Sequence, residues 1–397
     1  MKILVANLGS TSLKWRLFDF SNGTEAVLHK GGFERVTDHD QAIGDCLRQL
    51  LDSGAIASEA EIAAVGFKAV IARGVNGCVR LDEAAVAAME AYNALAPAHN
   101  PPYVSGVRLF ARRMPGTPLV GLFETAFYQW IPEAARRYAV PDAWHDAGVR
   151  RWGFHGASHK FVAERSAELL GRDDVAERVR RLYVDGGTTP VQGPALRVIS
   201  CHLGGSSSIT GIRDGVAIGN SLGMSPQSGL PHNNRVGDLD SFAVPFALRH
   251  LGLSLDEVER QLCRESGLKG LSGLSNDIRD IDAAASKGDA RARLALDFFV
   301  HEARRWIGGY WLELGGLDAL VFTAGIGENR AELRAAIVAR LEGLGVELDP
   351  QANAALRASE GVVSAAGSRV KVMVIPTNEE LVVAREVRRH LLAVGTG

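Results

Sequence analysis

Three short tips rich in glycine and hydroxyl side chains carry the groups of this 397-residue sequence best suited to phosphate: Gly9-Ser-Thr-Ser12, Gly204-Gly-Ser-Ser207 and Gly325-Ile-Gly-Glu-Asn329. Small residues let backbone approach a ligand, and the N–H groups they expose attract negative oxygens. The first two tips are related. The stretch Ile3 to Ser12 recurs as Val198 to Ser207, with Leu8 matching Leu203, Gly9 matching Gly204, Ser12 matching Ser207 and Asp19 matching Asp214. Each copy is a β-rich run, a tip and a second β-rich run, the pattern of a hairpin. Two such hairpins half a chain apart predict a duplicated domain with a nucleotide gripped between the halves. The third tip follows an apolar run and precedes a helical stretch starting at Arg330, so it reads as a strand-to-helix turn with oriented N–H groups. Neither a lysine-bearing P-loop nor a full Gly-x-Gly-x-x-Gly fingerprint is present.

These tips need strands and helices behind them, and the sequence supplies an α/β alternation. β-like runs cover Ile3 to Ala6, Leu13 to Phe18, Ala63 to Val70, Pro118 to Leu122, Arg197 to His202, Ser208 to Ile212, Ala319 to Thr323 and Val370 to Ile375. Phe299, Ala303, Ile307, Tyr310 and Leu314 recur at helical spacing and predict an amphipathic helix over Ala290 to Leu314. Gly308-Gly309 interrupts it and reads as a place of close packing. Val175 to Leu196 mixes charges with Asp185-Gly-Gly-Thr-Thr-Pro190 and reads as an exposed loop or interaction element. Short connections near Ala147 and Leu381 are the expected boundaries.

Composition narrows the partners. With 46% hydrophobic and 23% charged residues the chain can build two cored domains, and a net charge of −2 without a basic block argues against nucleic acid and membrane surfaces. The sequence passes from Met1-Lys2 directly into a β-rich run, which makes the cytoplasm the expected location. Cys46, Cys78, Cys201 and Cys263 lack metal-ligand spacing and read as buried thiols, Cys201 as a strand residue.

Asn7-Leu-Gly-Ser-Thr-Ser-Leu-Lys14, Arg151-Trp-Gly-Phe-His-Gly-Ala-Ser-His159, Cys201-His-Leu-Gly-Gly-Ser206, Ser275-Asn-Asp-Ile-Arg279, Phe322-Thr-Ala-Gly-Ile-Gly-Glu-Asn329 and Pro376-Thr-Asn-Glu-Glu380 stand in the order found in acetate and propionate kinases, and over nearly the whole chain the sequence resembles that family. The resemblance implies an α/β fold of two duplicated actin-like (ribonuclease H-like) domains with a nucleotide cleft between them. The first would be residues 1–147 completed by 381–397, and the second residues 148–380. It implies a carboxylate kinase that moves phosphoryl reversibly between ATP with Mg2+ and a short carboxylic acid, giving ADP and an acyl phosphate. Domain closure would exclude water, and the assembly would be a homodimer.

By the same matching, His155 and Arg235 stabilise the transferring phosphoryl group, Arg235 through its planar fork. Asn7 and Glu379 hold the metal. Ser10, Ser12 and Lys14 lie near phosphate, although the serines suit turn formation equally and the lysine suits a solvated strand. His202, Gly204, Gly205 and Ser206 face the nucleotide phosphates, and Asp277, Ile278, Arg279, Gly325, Ile326, Gly327, Glu328 and Asn329 border adenosine. Val70, Ala98, Phe154 and Pro226 line the acid pocket, with His99 at its end.

Several positions depart from the family. Lys68 stands where an arginine is usual, keeping the charge and losing the fork. Glu124 stands for an aspartate implicated in metal positioning and catalysis. Gly205 replaces an asparagine and so removes a side-chain donor from the phosphate turn. Ala98 replaces a leucine, and Gln227, His232, Asn233 and Asn234 make the approach to Arg235 unusually polar, which together predict an acid bulkier than acetate. Two rival readings keep the fold: a kinase using pyrophosphate as donor, and a nucleotide-binding sensor with little turnover, the latter prompted by Lys68 and Glu124.

Overall fold

The computed structural model describes residues 1–97 and 99–394; Ala98, one expected wall of the acid pocket, lies outside the described residues. The chain divides into two compact units, Met1–Gln129 with Gly156–Phe161 and the segment from Asn378 on, and Trp130–His155 with Val162–Thr377. These divisions fall elsewhere than the expected 147/148 and 380/381.

Unit 1 is built on Lys2–Gly9 (β1), Ser12–Asp19 (β2), Ala26–Glu34 (β3), Ile62–Ala69 (β4), Cys78–Arg80 (β5) and Leu119–Phe123 (β6). They pair in the order β3-β2-β1-β4-β6-β5, antiparallel at both margins and parallel through β1, β4 and β6. Unit 2 contains Arg197–Leu203 (β7), Ser207–Arg213 (β8), Val216–Asn220 (β9), Ala319–Thr323 (β10), Gly361–Val362 (β11) and Lys371–Val374 (β12). Its order, β9-β8-β7-β10-β12-β11, repeats the first sheet strand for strand, including every direction. The duplication read from the two hairpins is therefore a property of the whole sheets.

In unit 1, side-chain alternation along β4 sends neighbours to opposite faces. Phe67 meets Phe110 of the Asn100–Arg113 helix edge-on at 5.5 Å. Next to it, a Cβ on Gly66 would lie 3.0 Å from both Val383 and Val387, so glycine lets the Glu379–Val394 helix settle on the other face. Helices thus cover both sides of a sheet whose central strands are mostly apolar, with Asn7 and Lys68 near their carboxyl ends. The same helix receives a buried ion pair, Lys160 Nζ to Glu386 Oε1 at 3.0 Å.

In unit 2 the helix spans Ala290–Leu314 as expected, and Phe299, Ala303, Ile307, Tyr310 and Leu314 are buried in the core. Its glycines behave differently from expectation. A Cβ at Gly308 or Gly309 would meet nothing within 4 Å, whereas Gly211 on β8 and Gly219 on β9 are the positions whose Cβ would strike the Tyr310 ring. Close packing is enabled by the sheet glycines. The first half of the segment expected as an exposed excursion is helix: Asp173–Asp185 buries Val175, Ala176, Val179 and Leu182. The third tip is also helical, Ala324–Asn329, followed by Ala331–Val338, so the helical stretch begins ahead of the expected Arg330. Cys201 is fully buried on β7, and burial pushes its thiol well up. Among the described residues no helix is long and apolar enough to cross a membrane.

Candidate functional site

Each unit carries its own group of the expected residues. In unit 1, Asn7, Lys68 and Glu124 stand at or just beyond the carboxyl ends of the parallel strands β1, β4 and β6, the edge at which open α/β sheets collect ligands. Glu379 opens the helix that follows Asn378. Lys68 Nζ donates to Glu379 Oε2 in a short ion pair and lies 3.3 Å from Glu124 Oε1. Burial alone would push this ammonium down, but Glu379 and Glu124 hold it well above the usual lysine range. Asn7 Oδ1 accepts from the Tyr103 hydroxyl at 2.6 Å, and burial pushes that hydroxyl up although Lys68 pulls the other way. Tyr103 joins the cluster unannounced by sequence, since a tyrosine inside a helix reads as core.

Among the described residues no three His, Cys, Asp or Glu side chains form a ready metal cage. The donors present nevertheless suit a hard cation. Glu124 and Glu379 together carry one more negative charge than Lys68 neutralises, Asn7 adds an amide oxygen, and magnesium keeps waters and takes phosphate oxygens for its remaining positions. The ammonium already seated between the carboxylates shows that the pair accommodates positive charge.

The remaining unit 1 residues are more dispersed. Ser10 is exposed in the β1–β2 tip and Ser12 starts β2. Lys14 is exposed and pairs with Glu34 at 2.9 Å. Val70 is buried just after β4, and His99 caps the Asn100–Arg113 helix from an exposed position.

In unit 2, His155 adopts the left-handed conformation, φ +60°, at the N-cap of the Gly156–Leu169 helix. A non-glycine residue held there is strained, and such strain collects at functional positions. Its Nδ1 shares a hydrogen bond with Ser208 Oγ at 2.8 Å, and its ring stacks on His202 with centroids 4.1 Å apart. The hydrogen bond and stack place both histidines beside the Gly204–Gly205–Ser206 tip of the second hairpin.

That tip borders a cavity of about 630 Å³. Gly204, Gly205, Asp277, Ile278, Arg279, Gly325, Ile326 and Asn329, all expected around a nucleotide, line it together. So do Asn233, Asn276, Arg330 and Arg357, which sequence reading did not assign. Asp277 accepts from the Arg279 N–H at 2.9 Å as a helix cap, and the Arg279 guanidinium lowers its carboxyl to about 2. Arg330 forms a short ion pair with Asp282, and Arg357 Nη1 donates to the Asn329 carbonyl at 3.0 Å. Gly325 leaves open space where a Cβ would be, so backbone faces the cavity bare. Gly327 is buried instead. Burial raises the Glu328 carboxyl, whose Oε1 accepts from the Thr377 N–H at 3.3 Å.

Arg235 follows the polar stretch whose His232 is wholly buried. His232 Nδ1 accepts from the Ser207 N–H at 3.0 Å, leaving Nε2–H to donate to the Ser228 carbonyl at 3.1 Å. Burial, reinforced by Arg235, lowers its pKa to about 3 and keeps it neutral. Phe154 and Pro226 are buried in this unit.

The model of the acetokinase family matches residues 28–385. Acetate kinase from Methanosarcina thermophila is 40% identical over 98% of this chain and 96% of its own length. That from Treponema denticola is 41% identical over 97% and 98%. Crystal structures of Porphyromonas gingivalis acetate kinase and a propionate kinase from Francisella tularensis superpose with TM-scores of 0.85 and 0.82, at 34% and 32% identity. Each covers nearly all of both chains: 98% of this one and 99% of the first, 97% and 98% for the second. Matches of this length, on a chain whose two sheets repeat one topology, establish that it belongs to the acetokinase family.

Proposed function

We propose that this protein transfers the γ-phosphoryl group of ATP reversibly to acetate or propionate, giving an acyl phosphate and ADP. An oxygen of the carboxylate forms the new bond to phosphorus as the bond to the β-phosphate oxygen breaks. The acid is already ionised, so the reaction needs no base and depends on positioning and charge neutralisation. The observation that carries this reading is the unit 2 cavity, which gathers a phosphate-type turn, an Asp277–Arg279 cap and the bare backbone of Gly325 in one place.

His155 donates from its imidazole to the oxygens of the migrating phosphoryl group, its other nitrogen being oriented by Ser208. Arg235 binds the same oxygens through its fork. Lys68 neutralises the carboxylate substrate as a point charge. Asn7, Glu124 and Glu379 hold magnesium, which when bound supplies neutralisation of the nucleotide phosphates. Leu251, Phe242 and Phe246, at and beside the Ala243–His250 helix, are 63%, 77% and 56% exposed, and we assign this apolar face to a homodimer contact. Four free thiols suit a reducing cytoplasm.

Trapping the acyl phosphate with hydroxylamine tests the reaction. Incubation with ATP and magnesium should give hydroxamate from acetate or propionate. Nucleotide binding without hydroxamate from any short acid would instead favour the sensor reading, for which the engagement of Lys68 by two glutamates speaks. Product from pyrophosphate in preference to ATP would change the donor.

A further inference from the structure

Glycine at position 205 leaves the phosphate turn without the side-chain amide that an asparagine would give it. Another segment brings one to the same point. A Cβ built on Gly205 would lie 3.1 Å from Asn233 Nδ2, and both residues line the same cavity. Asn233 therefore occupies the space into which a side chain at 205 would grow.

The two segments are held in fixed register. The Asn233 N–H donates to the Gly205 carbonyl at 3.1 Å, one residue from the clasp between the His232 ring and the Ser207 N–H. Behind them, the carbonyls of His232 and Asn233 accept from the N–H groups of Leu268 and Lys269, each at 2.9 Å. Gly267 fits there only because it lacks a Cβ, which would stand 2.2 Å from the His232 carbonyl oxygen. The turn, the asparagine and the support behind it make one framework.

Two polar atoms of this framework lack a partner. Asn233 Oδ1 and Ser206 Oγ are buried without a hydrogen bond. Native folds satisfy nearly all such atoms, so orphans next to a cavity ask for an explanation that a bound ligand would supply. A carboxamide can offer either end of its plane, and its N–H groups suit phosphate oxygens.

We infer that Asn233 binds the phosphate chain of the nucleotide donor, supplying from outside the turn the contact that Gly205 cannot make, with His232 as the residue that positions it. The inference rests on the reading of the cavity as a nucleotide site and adds a binding residue to it.

Calorimetric titration of ADP and ATP into the full-length protein provides the test, alongside the KM for each substrate. Asn233→Ala should weaken nucleotide binding about ten- to thirty-fold, leaving the carboxylate KM in place. Asn233→Asp keeps the shape, sets a negative group against phosphate and should weaken binding further. Gly205→Asn alone collides with Asn233 and should also bind poorly, whereas Gly205→Asn with Asn233→Gly should return to within about threefold of the native affinity. Thermal unfolding identifies any variant that fails to fold, and the near-isosteric Asp variant guards against that outcome. Native-like nucleotide affinity in folded Ala and Asp variants overturns the inference, as does a double exchange no better than Gly205→Asn alone. A native protein that binds ADP but makes no acyl phosphate defeats the carboxylate-kinase reading while this titration still decides the role of Asn233. One that binds no nucleotide defeats both.

Discussion

The polar clusters of the two units solve opposite problems. In unit 1, Lys68 pairs with Glu124 and Glu379 and Tyr103 donates to Asn7, and none of these five residues has a buried side-chain atom left without a partner. In unit 2, Asn233 on the cavity wall and Ser206 next to it keep a buried Oδ1 and Oγ without partners. A satisfied cluster must exchange bonds when a substrate arrives, and its residues therefore matter to stability as well as catalysis. An unsatisfied one stands preorganised, with its cost already borne by the scaffold, so its residues should matter to ligand binding and turnover more than to stability.

Removing Lys68 should break this contrast most visibly. Lys68→Met leaves two neighbouring carboxylates without their ammonium, and kcat/KM should fall about 100- to 1,000-fold. Urea unfolding should show a loss of about 1–3 kcal/mol in the same variant. Undiminished stability would show that the unit 1 cluster is no more self-supporting than the cavity of unit 2.

His155→Asn sharpens the comparison from the other side. Its kcat should drop about 100-fold, because the imidazole proposed to hydrogen-bond the migrating phosphoryl group is lost. Stability should stay within about 1 kcal/mol, since asparagine tolerates the left-handed backbone better than histidine does. Steady-state kinetics beside thermal melts would separate the two effects.

A smaller effect is expected for the pair that departs from the family. Lys68→Arg and Glu124→Asp each change side-chain length in a fitted ion pair, so each alone should cost activity. The double variant should recover about 1 kcal/mol relative to the sum. Additive losses in a double-mutant cycle would mean that the two positions act independently.

A further signature, in stability alone, is acid sensitivity. His232 is neutral in the fold with a pKa near 3, against 6.5 for an ordinary histidine. Between those values the unfolded chain binds more protons, so stability must fall as pH drops below 6.5, by up to about 1.4 kcal/mol per pH unit from this group. Urea midpoints measured from neutral to mildly acidic pH should show that slope, and His232→Gln should flatten it.

Much of this organisation was legible in residue order. The paired hairpins disclosed the duplication because their tips, strands and following aspartates keep one register, and the buried strands disclosed themselves by apolar runs. The marginal strands β3, β5, β9 and β11 stayed hidden. β3 carries His29, Lys30, Gly31 and Gly32 on a largely exposed strand, and β11 is only two residues long, so neither has a pattern to read. The Asp173–Asp185 helix was lost in its charges, although every third or fourth residue from Val175 is apolar.

In the site, motif residues could be named and their partners could not. Nothing in the sequence ties Tyr103 to Asn7 or Asn233 to Gly205, because those relations arise only when distant segments pack. The polar stretch around His232 and Asn233 was a visible signal, but it gave no indication that the histidine would be sealed away and neutral.

The Glu379–Val394 helix gives the molecule a chronology. β1 and β4 precede unit 2 in the chain, yet the helix that rests on Gly66 and offers Glu386 to Lys160 is made only after unit 2. Until then one flank of the first sheet is bare and a lysine destined for the interior has no counter-ion. Unit 1 is therefore begun by one stretch of the chain and closed by another that lies beyond the whole of unit 2.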